Sequence, residues 1–221
     1  RFIYGDIRCM DRVDFRKVDA TEPGGHAFRV IAAYERWFEE NNCRAEWAIL
    51  RMLGLFDRPA TPNCLAALRD PPIAGLTDAI AALDEADWNE AVTSLVELNL
   101  VEEQPWEPSR MRGYNEEEAN EVWKVASTKR RFELGEPKPF EVSPRTFGIR
   151  HSLDAHPLIR EFFAKQLQQT ARRVWKAANL RLFDHLRSSV PFWPEVLDCL
   201  QPLYQALIHG CHACRYQEAC D

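Results

Sequence analysis

Apolar positions along most of the chain recur with the 3.6-residue period of helices rather than the alternation of strands. Between His26 and Phe38 they fall at Ala27, Val30, Ile31, Tyr34, Trp37 and Phe38, one face of a helix that starts just after Gly24-Gly25. A second helix is predicted over Ala45 to Phe56, with Ala48, Ile49, Met52 and Leu53 inward, stopped by Asp57-Arg58-Pro59. Thr61-Pro62 reads as an N-cap followed by proline at the first helical position, opening a short helix through Leu68. After the turn at Asp70-Pro71-Pro72 and an apolar stretch from Ile73 to Leu83, Asp84 caps a longer helix. That helix turns Trp88, Val92, Leu95 and Val96 to one side.

Two short strands are expected, at Leu98–Val101 and Ser152–Ala155. The residues between them, about 102–150, carry five prolines, Glu116-Glu117-Glu118 and Lys129-Arg130-Arg131, with few aliphatic positions. They read as a long surface excursion, with a short helix near Glu116 to Val125 and with Trp106 and Trp123 to dock it. A helix then opens at Pro157, followed by helices over Ala171 to Leu186 and Pro194 to His209. The last shows a stripe of Val196, Leu197, Leu200, Leu203, Tyr204, Leu207 and Ile208, expected to face inward.

Three helices, a strand, a long tip and a returning strand make the winged-helix order. The fold class expected is therefore mainly α: a winged-helix domain with a small β-wing, followed by helical-hairpin, TPR-like repeats. The units are 1–44, the tail of a helical domain; 45–168, the winged helix with its wing insertion at about 102–150; and 169–221, the start of the array. Arrays of this kind need about three repeats for stability, so the chain reads as an internal fragment of a longer protein.

Composition narrows the function classes. The 221 residues are 46% hydrophobic and 28% charged, which suits a packed core rather than a disordered chain. No apolar run reaches the roughly 18 residues that span a bilayer, and no basic-then-apolar leader follows Arg1. Seven cysteines, scattered and odd in number, fit reduced thiols better than a disulfide framework. The expected location is the cytoplasm, with no membrane contact. Net charge is −6, and from Asp70 to Ser109 there are ten Asp or Glu and no Lys or Arg. A helix bearing Asp84, Glu85, Asp87, Glu90 and Glu97 would repel phosphates, which supply most duplex affinity. The basic triplet 129–131 could touch a nucleic-acid backbone, but it reads first as a solvated loop.

No phosphate loop, no H-E-x-x-H and no G-x-S-x-G occurs, so no catalytic residue is expected. Two clusters carry other chemistry. In Leu153-Asp154-Ala155-His156-Pro157-Leu158-Ile159-Arg160-Glu161-Phe162, Pro157 sits at the first position of a helix and His156 at its N-cap. Helix N-termini offer unpaired N–H groups and partial positive charge to an anion, and an imidazole there could donate to a phosphate oxygen. The plainer reading is a surface histidine capping its own helix. The second cluster is His209, Cys211 and Cys214 with Cys220, a single C-x-x-C that could ligate zinc or an iron–sulfur cluster. It lacks a second C-x-x-C and continues a helical pattern with Ala213, Tyr216 and Ala219, so no metal is expected.

Gly24–Val30, Ala48–Pro59 and Leu153–Phe162 together resemble the STAND class of signalling NTPases, and more narrowly its bacterial NACHT or NB-ARC-type members with helical repeats after the ATPase. The resemblance covers about residues 5–220. Ala155-His156-Pro157-Leu158-Ile159-Arg160 resembles the "MHD" signature, x-H-x-L-x-R, with Ala155 where Met is usual and Pro157 where Asp is usual. In that class the histidine contacts the β-phosphate of ADP and holds the closed state. The resemblance thus implies that His156 senses nucleotide, and that ADP or ATP is bound mainly by an upstream nucleotide-binding domain. It also implies that a protein or ligand trigger acts on the helical array, that activation is accompanied by oligomerisation, and that the setting is bacterial defence. The segment itself would not be an enzyme. Two alternatives stand beside it: a helical-repeat interaction scaffold without a nucleotide role, and a winged-helix regulator associated with DNA.

Overall fold

The computed structural model describes residues 25–106, 149–189 and 197–220. They form a mainly α molecule with one two-stranded sheet. Helix α1 (Gly25–Glu40) buries Ile31 and Phe38 and half-buries Val30, Tyr34 and Trp37, members of the expected face, and also buries Phe28, which was not among them. It stops at Asn42, whose φ of 59° lets the Cys43 N–H reach back to the Phe38 carbonyl at 2.8 Å. This is the Schellman arrangement, in which a left-handed residue satisfies the last carbonyls of a helix.

Helix α2 (Arg44–Leu53) is the hub. Every residue from Ala48 to Leu53 is buried, because α1, α5, α6 and the second strand all pack on it. The expected helix ran on to Phe56; instead the chain tightens into a turn at Gly54. A Cβ there would lie 2.8 Å from the backbone N of Ala164 and from the Cβ of Phe163, so only glycine lets α6 come this close.

Thr61 accepts from Cys64 N–H at 3.4 Å and Pro62 opens α3 (Pro62–Arg69), as expected. The stretch from Ile73 to Leu83 holds one helical turn, α4 (Asp78–Ala81). Asp84 accepts from Asp87 N–H at 2.9 Å and caps α5 (Glu85–Glu97), which buries Trp88, Val92 and Leu95.

The first strand is not at Leu98–Val101. Leu98 ends α5, Asn99 turns left-handed at φ 55°, and the Leu100 N–H returns to the Leu95 carbonyl at 3.0 Å, a second Schellman cap. Only then does β1 (Val101–Pro105) begin. It pairs antiparallel with β2 (His151–Ala155), from Val101 opposite Ala155 to Pro105 opposite His151. Residues 102–105, expected in the excursion, therefore belong to the sheet. Ala60 and Leu153 exchange both backbone hydrogen bonds, at 2.8 and 3.0 Å, which adds the α2–α3 loop beside β2. Half-buried Trp106 is the last described residue before Ile149. The helix expected near 116–125, Trp123 and the basic triplet lie outside the described residues.

Helices α6 (Pro157–Thr170), α7 (Arg172–Ser188), α8 (Leu197–His212) and the short α9 (Tyr216–Cys220) complete the chain. Arg172 and Arg173 are solvated. The packed side of α8 is only partly its apolar stripe, of which Leu200, Leu203 and Ile208 are half-buried. Tyr204 is 67% and Leu207 42% exposed, whereas Gln205, Ala206, His209 and Gly210 are buried. Small residues decided the rotation: a Cβ on Gly210 would meet Ala219 at 2.8 Å and Phe183 at 3.0 Å. Val196 and the side chain of Leu197 lie outside the described residues.

One apolar core runs from Phe28 to Ala206, through all three expected units. Trp88 and Trp175 are buried in it, and Trp37 and Trp47 are packed against it half-buried. Helix α7 is tied to the body by Arg181, which donates to the Ala67 and Pro71 carbonyls at 3.1 and 2.8 Å. Among the described residues no helix is long and apolar enough to cross a membrane.

Candidate functional site

β2 delivers the chain to α6 at His156, which occupies the N-cap with Pro157 in the first turn. The Leu158 N–H donates to Nδ1 of His156 at 3.2 Å. A ring nitrogen accepts only when it carries no proton, so the capping imidazole holds a proton on Nε2. The remaining first-turn donors are also spent. Pro157 has none, and the N–H groups of Ile159 and Arg160 both reach the His156 carbonyl, at 2.8 and 3.2 Å. The open row of backbone donors expected at this helix start is thus absent. What an anion meets here is the helix's partial charge and the Nε2–H of an exposed imidazole.

Arg160, the last residue of the motif, does not point at a ligand either. Its Nη1 donates to Asp154 Oδ1 at 2.8 Å, and the same oxygen accepts from Ala155 N–H at 2.8 Å. With side chains only 13% and 24% exposed, this pair braces the strand end against the first turn of α6 and holds the cap that presents His156. Sequence reading missed the Asp154–Arg160 pair. No helical or strand period brings residues six apart together; the strand-to-helix corner does.

The second cluster is dispersed. His209 is 1% exposed and its Nδ1 lies 2.8 Å from Asn179 Oδ1. Asn179 donates its amide to the Trp175 carbonyl at 2.8 Å, so its oxygen is the end that faces His209 and Nδ1 carries the proton. Nε2 then holds a buried lone pair without a partner among the described residues. Burial pushes the His209 pKa down to about 4; His212 adds to the fall and Asp57 opposes it. Cys211 is half-buried. Cys214 is exposed at φ 64° in the turn after α8, and hydrogen bonds from Lys176 and Tyr216 lower its thiol pKa. Cys220 has its side chain outside the described residues. Among the described residues no three His, Cys, Asp or Glu side chains stand together to hold a metal.

The fold does join the two clusters' neighbourhoods. A cleft of about 350 Å³ has Pro157, Arg160 and Glu161 of α6 on one side and Gln205, His209 and His212 on the other. Phe56 and Trp175 also line it, and Phe56 meets the His209 ring edge-on at 5.9 Å. The first turns of α6 and the C-terminal half of α8 therefore share a wall.

Comparison of the chain with family models, with curated proteins and with solved structures finds no match.

Proposed function

We propose that this chain is the regulatory middle of a STAND-class signalling NTPase, a winged helix followed by the start of a TPR-like array, in which His156 senses the nucleotide held by an upstream domain. The order α2, Ala60 bridge, α3, α5, β1, β2 is the order of a winged helix, with the strands in the sequence Ala60, β2, β1 across the sheet. Helices α7 and α8 would be the first hairpin of the array. The observation that carries the nucleotide reading is the His156 cap: the imidazole is fixed through Nδ1, braced by Asp154 and Arg160, and left with one donor for an anionic oxygen. Such a latch couples nucleotide state to a rigid-body movement of the array, transmitted through the cleft shared by α6 and α8. The chain contributes no catalysis in this reading.

The test restores the upstream domain, purifies the protein gently and identifies the nucleotide released on denaturation. His156→Ala removes the cap and the imidazole together, and cap loss alone costs about 1 kcal/mol. His156→Ser keeps a capping oxygen and removes only the ring. Wild type is expected to carry near-stoichiometric ADP, and both variants to lose or exchange it. Equal ADP in His156→Ser and wild type would show that the imidazole is not the sensor.

A scaffold reading draws on one specific feature, the exposed Tyr204 and Leu207 of α8 and Tyr216 of α9. It becomes the better reading if the restored protein releases no nucleotide at all. A duplex-DNA role gains no support from α5, whose Asp84, Glu85, Asp87, Glu90 and Glu97 are all solvent-exposed.

A further inference from the structure

Cysteine is an uneconomical residue for the turn after α8. Asn42 and Asn99 hold the corresponding left-handed positions after α1 and α5, whereas Cys214 sits at φ 64° with a side chain that disfavours it. Backbone outliers of this kind concentrate where the side chain has a function. Among the described residues four cysteines carry free thiols: Cys64 is buried, Cys43 and Cys211 are half-buried, and Cys214 is exposed. Burial pushes the Cys64 thiol up to about 11, and burial with the Glu46 charge raises that of Cys43. Cys214 moves the other way.

The helical hairpin supplies the reason. The Trp175 and His212 rings meet at 5.2 Å and set the end of α8 against the start of α7. Lys176 of α7 and the Tyr216 hydroxyl of α9 donate to Cys214 Sγ, and Arg172 in the first turn of α7 adds a second positive charge. Tyr216 holds its own proton more tightly in return. Glu218, a carboxylate of α9, is already bonded by Arg215. An accessible thiol among donors and cations at a helix start favours the thiolate, which is the nucleophilic form.

A second thiol stands within reach. The Cys214 N–H donates to the Cys211 carbonyl at 3.0 Å. A turn closed in this way brings its end Cα atoms within about 7 Å, and disulfides join Cα atoms about 4.4–6.8 Å apart.

We propose that Cys211 and Cys214 are a redox-active pair that a hydroperoxide converts to an intramolecular disulfide, Cys214 reacting first and Cys211 resolving it. The Cys214 thiolate attacks one peroxide oxygen; an S–O bond forms, the O–O bond breaks, and the other oxygen leaves as hydroxide and takes a proton to become water. The Cys211 thiolate then attacks the sulfenic sulfur. The S–S bond forms, the S–O bond breaks, and a second water leaves. Two thiols are oxidised by two electrons in all, and the peroxide is reduced. Closure withdraws the thiol from Lys176 and Tyr216, and with it a tie between α9 and the start of α7. The pair is independent of His156 and of any nucleotide.

The experiment exposes the reduced 221-residue chain to hydrogen peroxide at pH 7, blocks the remaining thiols with N-ethylmaleimide, and maps the products by tandem mass spectrometry. The first disulfide to form should join Cys211 to Cys214. Cys211→Ser should leave a sulfenic acid on Cys214 that dimedone captures, and Cys214→Ser should leave Cys211 reduced over the same time. Lys176→Gln should slow oxidation of Cys214 at least about threefold, with Cys43 unaffected. A first disulfide to any other cysteine overturns the proposal. So does a Cys211 that oxidises equally fast in Cys214→Ser, or a Cys214 rate untouched by Lys176→Gln. If either serine variant does not fold, as read by circular dichroism, the wild-type map and Lys176→Gln decide.

Discussion

His156 and His209 show how one residue type takes opposite roles in two surroundings. His156 is exposed and spends Nδ1 on a backbone N–H; His209 is buried and donates through Nδ1 to Asn179. The buried one makes stability depend on pH. Its pKa falls from 6.5 to about 4 on folding, so between those values the unfolded chain binds the extra proton. Stability therefore rises with pH across that window and is lost as pH drops from about 6.5 towards 4. The full shift is worth about 3 kcal/mol. Glu46 and Asp184, whose pKa values are raised by burial, act in the other direction as they protonate. The difference between wild type and His209→Gln isolates the histidine. Urea denaturation at pH 7.5 and pH 4.5 should show the wild type losing more stability than the variant; parallel losses would mean that His209 takes up its proton without opening the core.

At the scale of elements, helix ends set the boundaries that apolar period alone misplaces. Three helices stop by the same device, with Asn42, Asn99 and Cys214 in the left-handed region at φ 59°, 55° and 64°. After α8 the Cys214 N–H bonds the Cys211 carbonyl at 3.0 Å and the Arg215 N–H bonds that of Gly210 at 2.8 Å. Asparagine tolerates this conformation and cysteine does not. Cys214→Gly should accordingly raise stability by about 0.5–1 kcal/mol in thermal or urea melts. A fall instead would show that the thiol's bonds to Lys176 and Tyr216 outweigh the backbone strain. Gly54 poses the opposite case. Its backbone is ordinary, but Ala164 and Phe163 occupy the space of a Cβ, so Gly54→Ala should cost about 1–3 kcal/mol by forcing α2 and α6 apart. Circular dichroism melts would register it, and an unchanged midpoint would mean that α6 slides at no cost.

Across the whole molecule, one core joins α1, the α2-to-α6 unit and the α7–α8 hairpin, and polar ties reinforce the seam at α7. Arg181 supplies two of them, to carbonyls at the end of α3 and in the turn beyond it. Hydrogen bonds from a charged donor are worth about 1.5–3 kcal/mol each at most when a partner is lost. Arg181→Met should therefore let α7 and α8 open as a unit before the rest. Native-state hydrogen exchange should show faster exchange in α7 and α8 with little change in β1 and β2. Acceleration spread evenly over all elements would mean that the chain opens only as one piece.

Sequence by itself determined the helices, because a repeated apolar face and local caps such as Thr61-Pro62, Asp84 and His156-Pro157 are written within a few residues of one another. It placed His156 at an N-cap for the same local reason. The tertiary structure decided what depends on partners distant in sequence. Val101–Pro105 has only one buried residue and becomes a strand by pairing with His151–Ala155. Helix α8 shows its tyrosine and leucine to solvent because Ala206 and Gly210 allow α7 and α9 closer than the larger residues would. Asp154 finds Arg160 only at a strand-to-helix corner, and Arg51 becomes a buried cation only when five elements close around α2. Local chemistry sets where the chain turns; the choice of which faces touch belongs to packing, where shape and close approach outweigh hydrophobicity.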